Sequence, residues 1–388
     1  MKTVAVVGGM YGDEGKGLMV DYLCDNMGKG GAVVRYQGGA QSGHTVVTPE
    51  GNRHVFSHIG SGSMLGLQTI LGKDFVCNPD LFLTEWVELE DKPPTPLIEW
   101  ESQISTPYDV ILNQELERSR GSARHGSVGV GFGETIERVE VGGISFTYKD
   151  LHMRNAFIVD TLMKIRMYFL NRMELLGLDS SPWTNEKMVS KIINQLQLFT
   201  TLTKPLYEYN MVYDYIIFEG GQGLKLDMLY GDFPYVTRSR TGLYNAKSFC
   251  SRHNLSLDEV IYVTRAYTTR HGAGPLKNEY KHGEMDHVAD DTNKDSEFQG
   301  SLRFAPLLWG EFERMAMIDS DQFDGKVKIA MTCMDHLMSE VDIDYSNSWN
   351  ISSQPIPVRM KRERFIDFVD NETDYWSYGP TRNDVFDT

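Results

Sequence analysis

Thr3-Val4-Ala5-Val6-Val7-Gly8-Gly9-Met10-Tyr11-Gly12-Asp13-Glu14-Gly15-Lys16-Gly17 is the stretch on which the fold turns. A short β-branched apolar run breaks into glycines, after which Leu18, Met19, Tyr22 and Leu23 recur at three- and four-residue spacing up to about Met27. That order reads as a buried parallel strand, a tight turn and a helix, the unit of an α/β fold. Glycines between a strand and a helix let backbone N–H groups face an anion, the helix N-terminus adds a favourable dipole, and Lys16 adds a point charge. The stretch therefore reads as a phosphate cradle. It is not a Walker A loop, which needs Gly in place of Met10 and Ser or Thr in place of Gly17. The competing reading, a plain glycine turn with solvated charges, fits less well because Asp13, Glu14 and Lys16 sit among five glycines rather than on a helix face. Asp13 beside such a cradle is placed to hold Mg²⁺ or to take a proton.

Outward from this unit, Ala32–Tyr36 is a second strand of the same kind, and Tyr213–Phe218, Val260–Thr264 and Val327–Met331 are further candidates. Each runs into a cluster rich in Gly, Thr or Asp, and ligands of open α/β sheets bind beyond the carboxyl ends of strands. Arg154–Leu176 reads as a helix with Phe157, Ile158, Leu162, Ile165 and Phe169 on one side. Asn185–Leu198 is its partner, the two forming structural cover or a dimer surface. Asp91–Pro94 and Gly283–Ser296 are polar and turn-rich, the second reading as a mobile loop. At about 150 residues per domain, 388 residues allow two to three domains or one large one. No Pro/Ser linker divides the chain, which favours a single domain over 1–388 with a helical insertion about 151–205. The fold class expected is α/β, a large, mostly parallel central sheet flanked by helices, with loop insertions.

The charge balance narrows the function. A net charge of −16 repels polyphosphate backbones, which argues against a nucleic-acid partner, whereas a small anion needs only a local group of cations and N–H donors. An apolar content of 41% with 24% charged residues excludes a disordered chain. Cys24, Cys77, Cys250 and Cys333 show neither CxxC spacing nor a neighbouring His, so neither a zinc site nor a disulfide framework is implied. No apolar run approaches the roughly 18 residues of a membrane span, and the opening run is too short for a signal sequence. A reducing cytoplasm, with no membrane partner, is the expected setting.

Two further clusters carry chemistry. Gln37-Gly38-Gly39-Ala40-Gln41-Ser42-Gly43-His44-Thr45 follows a strand, and a His in a glycine loop can approach a substrate oxygen and donate a proton to it. By itself this is weak, because most lone histidines are structural or solvated. Phe218-Glu219-Gly220-Gly221-Gln222-Gly223 leads on to Asp232 and the run Tyr235-Val236-Thr237-Arg238-Ser239-Arg240. Gln222 offers a donor and an acceptor to a base edge, while Thr237, Ser239 and the two arginines suit a monophosphate. Standing alone, a polar loop with solvated arginines explains that cluster equally well.

Taken together, the clusters resemble the adenylosuccinate synthetase family, whose pattern reads close to WGDEGKGK, QGGxNAGHT, FEGAQGxxLDxxxGTYPYVTSSN and KAYxTRVGAGP. The matching stretches are Tyr11–Gly17, Gln37–Thr45, Phe218–Thr237 and Arg265–Pro275, in the same order over about two thirds of the chain. Gly126–Gly131, with Arg138 downstream, is similar to the family's TTGRGIG. The resemblance implies a carbon–nitrogen ligase that moves the γ-phosphate of a nucleoside triphosphate to O6 of a purine nucleotide, which the amine of L-aspartate then displaces. It implies Asp13 as base, His44 as acid and Gln222 as a purine contact. It implies triphosphate contacts from Gly12, Glu14, Gly15, Lys16, Gly17, Thr45, Asp335, Gly379 and Pro380. Purine monophosphate contacts would come from Asp13, Gln41, Ser127, Gln222 and Thr237, and from Arg138 across the interface of a homodimer. Mg²⁺ is the implied cofactor, on Asp13 and the Gly43 carbonyl.

Departures from the family pattern bear on the substrate. The aspartate loop TTGRxRRxG is replaced by Glu297–Phe304, leaving Ser301 and Arg303 for the aspartate carboxylates, and TKLD is Thr332-Cys333-Met334-Asp335. The ending Tyr378-Gly379-Pro380-Thr381-Arg382-Asn383-Asp384-Val385 resembles the GPTxNDV of the phage branch that makes 2-aminoadenylosuccinate. That branch takes GMP or dGMP with ATP or dATP, and a phage-encoded chain would work in the host cytoplasm. Some of its members carry Ser at the position of Asp13, which is kept here. The alternatives are an ordinary synthetase using IMP, GTP and L-aspartate, a catalytically silent nucleotide-binding protein, and a G-protein-like switch, against which the missing Walker A hydroxyl counts.

Overall fold

The structure, a computed structural model, describes residues 1–89, 91–183, 187–281, 283–285, 287–288, 297–345 and 357–388. The opening run forms the strand Lys2–Gly8, and the helix after its glycines spans Lys16–Met27. Among the described residues ten strands join in one sheet, in the order Val385–Asp387, Tyr375–Ser377, Lys326–Thr332, Glu259–Arg265, Lys2–Gly8, Tyr215–Gly223, Gly31–Arg35, Gln68–Leu71, Leu97–Ile98, Lys204–Pro205. Neighbours run parallel except at the Val385–Asp387 edge. This is the large, mostly parallel α/β sheet that the strand–glycine–helix pattern predicts.

Why the strands read as continuous apolar runs follows from their packing. Val4 and Val6 face Leu18, Met19, Leu23 and Cys24 of the following helix, while Ala5 and Val7 face the opposite layer with Leu243, Phe249, Trp309 and Phe312. Both faces are covered, so neither alternates with polar residues.

The connections decide where the site falls. Lys2–Gly8 and Tyr215–Gly223 are neighbours, with Val4 opposite Ile217 and Gly8 opposite Gly223. The first leads to Gly31–Arg35 on one side of the pair, and the second leads to Glu259–Arg265 on the other. Crossovers leaving in opposite directions open a crevice beyond the carboxyl ends, and both strands end there in glycines.

The expected helices appear as Asn155–Leu175 and Lys187–Leu202, after which the chain returns to the sheet as Lys204–Pro205. Ile158, Leu162, Ile165 and Phe169 are buried as predicted, but Phe157 is 42% exposed. The correction is geometric: consecutive residues lie about 100° apart on a helix, so Phe157 cannot share the stripe of Ile158. The inward stripe packs with Phe82 of the helix Pro79–Glu88 and Tyr108 of the helix Pro107–Arg120 in a separate apolar cluster. Asn185 and most of the predicted mobile loop Gly283–Ser296 lie outside the described residues.

Candidate active site

The three glycine turns meet at the crevice. Gly12 has φ +110°, and a Cβ built on Gly223 would lie 2.2 Å from the Met10 carbonyl oxygen, so any side chain there would push the two turns apart. A Cβ on Gly17 would lie 3.2 Å from the His44 Cβ, which brings the second turn against the first.

Within the cradle, the Glu14 carboxylate accepts from the N–H groups of Met10 (3.0 Å) and Gly12 (2.7 Å) and pairs with Lys16 Nζ at 3.1 Å. Lys16 Nζ also donates to the Gly12 carbonyl at 2.7 Å, and Lys16 is only 2% exposed. The expectation of an open point charge at Lys16 is thereby corrected. Glu14 neutralises it and fills part of the nest that the glycines form. Arg265 donates to the Asp13 carbonyl, and Thr332 Oγ1 donates to the Glu14 carbonyl at 2.7 Å, so two neighbouring strands clamp the turn.

The remaining expected triphosphate contacts surround this turn. Asp335 lies just past Thr332, 38% exposed and 3.6 Å from His336 Nε2. Gly379 and Pro380 precede Thr381, which bridges to Val47 two residues beyond Thr45, and Arg382 pairs with Asp21 of the Lys16–Met27 helix at 3.0 Å.

His44 is buried at the start of a short hairpin strand, His44–Val47. Its Nδ1 lies 2.5 Å from Glu219 Oε1, and its Nε2 lies 3.4 Å from the Gly221 carbonyl oxygen. Glu219, midway along the strand Tyr215–Gly223, also accepts from the Ser61 N–H (3.1 Å) and from the Ser61 hydroxyl. Burial alone would raise the Glu219 carboxyl, but His44, Arg35 and the Ser61 hydroxyl outweigh it and hold it at about 2. Burial lowers His44, helped by Arg35 and Lys16 and resisted by Glu219. In this tightly coupled pair Glu219 is ionised, because three donors point at it, and a second proton on His44 is loosely held. The hydrogen bond to Glu219 assigns the resident proton to Nδ1 and leaves Nε2 for exchange. Fully buried Arg35 donates to Ser42 Oγ (2.9 Å) and to the Ser42 carbonyl (3.0 Å), pinning the turn that carries the imidazole.

Asp13 is half-buried next to Gly12. Burial holds its carboxyl above the ordinary range, with Arg265 opposing and Glu14 reinforcing the rise. A carboxylate so placed accepts a proton more readily than one in water.

A cavity of about 390 Å³ opens beside these groups, lined by Gln41, Ser127, Gln222 and Thr237 among others. Its size suits a small-molecule ligand. Among the described residues Gln222 Oε1 and both side-chain amide atoms of Gln41 are buried without a partner, which is where a ligand's polar edge would be welcome. Arg138 is not there. It is 0% exposed and spends its donors on Asp109 Oδ1 (2.9 Å), the Ile144 carbonyl (2.7 Å) and the Ile104 carbonyl (3.0 Å). The expectation that it reaches across an interface finds no support in this chain, where a guanidinium with that many internal partners is a structural tie of the helix Phe132–Glu140.

Arg303 donates to the carbonyls of Gly272 (3.2 Å) and Gly274 (2.7 Å) and pairs with Glu279 at 2.8 Å, whereas Ser301 is exposed. Sequence reading passed over Glu219 and Ser61, whose roles appear only in contacts across long sequence separations, and Arg35, whose role appears only in its burial against Ser42. Among the described residues no group of three or more His, Cys, Asp or Glu side chains forms a metal cage. The Asp13 carboxylate takes no hydrogen bond among those residues, and a lone hard carboxylate beside a phosphate cradle fits Mg²⁺, which takes its other ligands from phosphates and water.

The adenylosuccinate synthetase family model matches residues 5–381. An adenylosuccinate synthetase of Pseudomonas fluorescens is 33% identical over 294 residues, covering 72% of this chain and 65% of that protein, less than two thirds of its length. The fully ligated adenylosuccinate synthetase from Plasmodium falciparum has the same fold, with a TM-score of 0.83 at 18% identity and 100% of both chains covered. The cyanophage S-2L succinoaminodeoxyadenylate synthetase, bound to dGMP and to dATP as an energy donor, gives a TM-score of 0.63 at 16% identity, covering 100% of this chain and 95% of that one.

Proposed function

The chain belongs to the adenylosuccinate synthetase family, and we propose that it joins L-aspartate to C6 of a purine nucleotide at the expense of a nucleoside triphosphate. The observation that carries this reading is the packing of three glycine turns on one another: Gly12, beside Asp13, lies against Gln222 and Gly223, Gly17 lies against His44, His44 pairs with Glu219 of the third stretch, and Gln41 and Gln222 line the cavity.

In this reading the purine sits against Gln222 and Gln41, and its 5′-phosphate against Ser127 and Thr237. Asp13 takes the proton from N1, so that negative charge develops on O6, which attacks the γ-phosphorus of the triphosphate and displaces the nucleoside diphosphate. His44, its Nδ1 bound to Glu219, uses the loosely held second proton on Nε2 to offset charge on the oxygen and then on the departing phosphate. Aspartate, its carboxylate taken by Arg303 in place of Glu279, attacks C6 through its amine; the C6–O6 bond breaks, inorganic phosphate leaves with O6 and a proton from the amine, and Asp13 releases the N1 proton. Mg²⁺, which the Asp13 carboxylate and the Gly43 carbonyl would hold, offsets charge between the phosphates when bound.

The substrate favoured is GMP or dGMP with ATP or dATP. Cys333 replaces the family lysine before Asp335, and the Gly379–Val385 ending matches the phage branch. An ordinary synthetase would instead use IMP and GTP. We place the enzyme as a cytoplasmic homodimer, and among the described residues no helix is long and apolar enough to cross a membrane.

Phosphate release by the purified chain with aspartate, Mg²⁺ and each pairing of IMP or dGMP with GTP or ATP separates these readings. Turnover with dGMP and ATP is expected. Turnover with IMP alone moves the enzyme to the ordinary branch, and tight nucleotide binding with no product under any pairing marks a silent binder.

A further inference from the structure

Arg138 is spent inside the fold, so the purine-nucleotide reading calls for another cation within the chain at the 5′-phosphate. A phosphate dianion bound to a chain of net charge −16 needs fixed positive charge close by. Four arginines line the cavity: Arg120 pairs with Glu117, Arg270 donates to the carbonyls of Ala273, Pro275 and Tyr235, and the two candidates left are Arg172 on the helix Asn155–Leu175 and Arg238, the residue after Thr237. Each donates through Nη2 to a different oxygen of Glu137, at 2.6 Å and 2.7 Å respectively. A guanidinium has five N–H donors, so each is tethered with donors in reserve, and Arg172 Nε is buried with no partner.

We propose that Arg172 and Arg238, aligned by Glu137, form a phosphate clamp within one chain, completing with Ser127 and Thr237 the site for the nucleotide 5′-phosphate. This rests on the purine-nucleotide reading above and names the cations of that same site. Glu137 acts as a positioning residue: its two oxygens hold two flexible side chains at the cavity wall, so less order must be imposed when the anion arrives. Planar guanidinium groups suit paired hydrogen bonds to phosphate oxygens. Glu134, one turn earlier on the same helix, lines the cavity with Oε2 buried and unpartnered. Burial, with Glu137 and Asp109 close by, pushes its carboxyl up to about 7 against the pull of Arg238, so near neutral pH the two cations face Glu137 and a second carboxyl that is about half ionised. The nearby Arg120–Glu117 pair is self-neutralising.

Calorimetric titration of the full chain with dGMP and with deoxyguanosine tests the clamp, with IMP and inosine run in parallel. The wild-type chain should bind the monophosphate far more tightly than the nucleoside. Arg238→Ala and Arg172→Ala should each weaken the monophosphate roughly ten- to hundredfold and leave nucleoside affinity unchanged, since a hydrogen bond to a charged group is lost. Arg238→Lys should fall between, and wild-type affinity should hold on dilution to monomer. Variants that bind the monophosphate as the wild type does overturn the clamp and leave the nucleotide reading standing. Affinity that vanishes on dilution overturns its intrachain character. Failure of the wild-type chain to bind any of the four ligands overturns both.

Discussion

Glu219 does for His44 what no property of the imidazole itself could do: it fixes which nitrogen carries the resident proton and which is left for exchange. Glu219→Gln keeps the shape but removes the charge and lets the side chain present an N–H to the ring. Turnover should fall on the order of 10³-fold with KM for the nucleotide nearly unchanged, by analogy with amide replacement in other carboxylate–histidine pairs. Steady-state kinetics across pH checks this, and a parallel rise in KM with a lowered melting temperature would mark Glu219 as merely structural. Glu134 makes a second prediction at this scale. Its carboxyl is raised from 4.5 to about 7 by burial, so its contribution to stability is fully present below pH 4.5 and is lost as pH rises through 7. Wild-type protein should therefore lose up to about 3 kcal/mol between those limits from this group. Glu134→Gln should flatten that part of a urea-unfolding series, and an unchanged slope would place the titration elsewhere. None of this was legible at the residue level in the sequence. His44 and Gln222 stood out because glycines surround them, whereas Glu219 and Glu134 acquire their character from partners or from burial.

At the scale of elements, the helix Phe132–Glu140 shows how a motif can give order without orientation. Arg138 follows a family-like glycine run at a plausible distance, yet it lies on the inward side of that helix, where Asp109 of the helix Pro107–Arg120 meets it. Arg138→Ala would leave Asp109 buried and unpaired, and the expected cost is about 3–5 kcal/mol, read from the urea midpoint. A loss of nucleotide affinity with unchanged stability would restore its role as a ligand. The strands around the first glycine turn were readable because both faces are buried and the runs are long. Gln68–Leu71, Leu97–Ile98 and Lys204–Pro205 were not, because two to four residues carry too little periodicity to separate a strand from a turn. Phe157 was misassigned for a related reason: counting apolar residues in a helix does not resolve its 100° steps.

Across the whole molecule, the cavity wall draws on residues from Gln41 to Gln299, contributed by elements packed into different apolar clusters. A ligand there should stabilise the folded chain as a unit. Saturation at a hundredfold excess over Kd is expected to add about 2.7 kcal/mol, visible as a higher melting temperature with dGMP than with deoxyguanosine. No shift with any purine nucleotide would count against the cavity as a nucleotide site. By itself the amino-acid order determined the parallel sheet and three glycine turns at strand ends, because apolar periodicity and glycine's backbone freedom act within a dozen residues. Only the tertiary structure decided which charges are free and which are spent. Lys16 is cancelled by Glu14, Arg138 is consumed by Asp109, and Arg172 and Arg238 stand at the cavity. The physical reason is that a charge is governed by whatever lies within a few ångströms of it in space, and those neighbours come from every part of the chain.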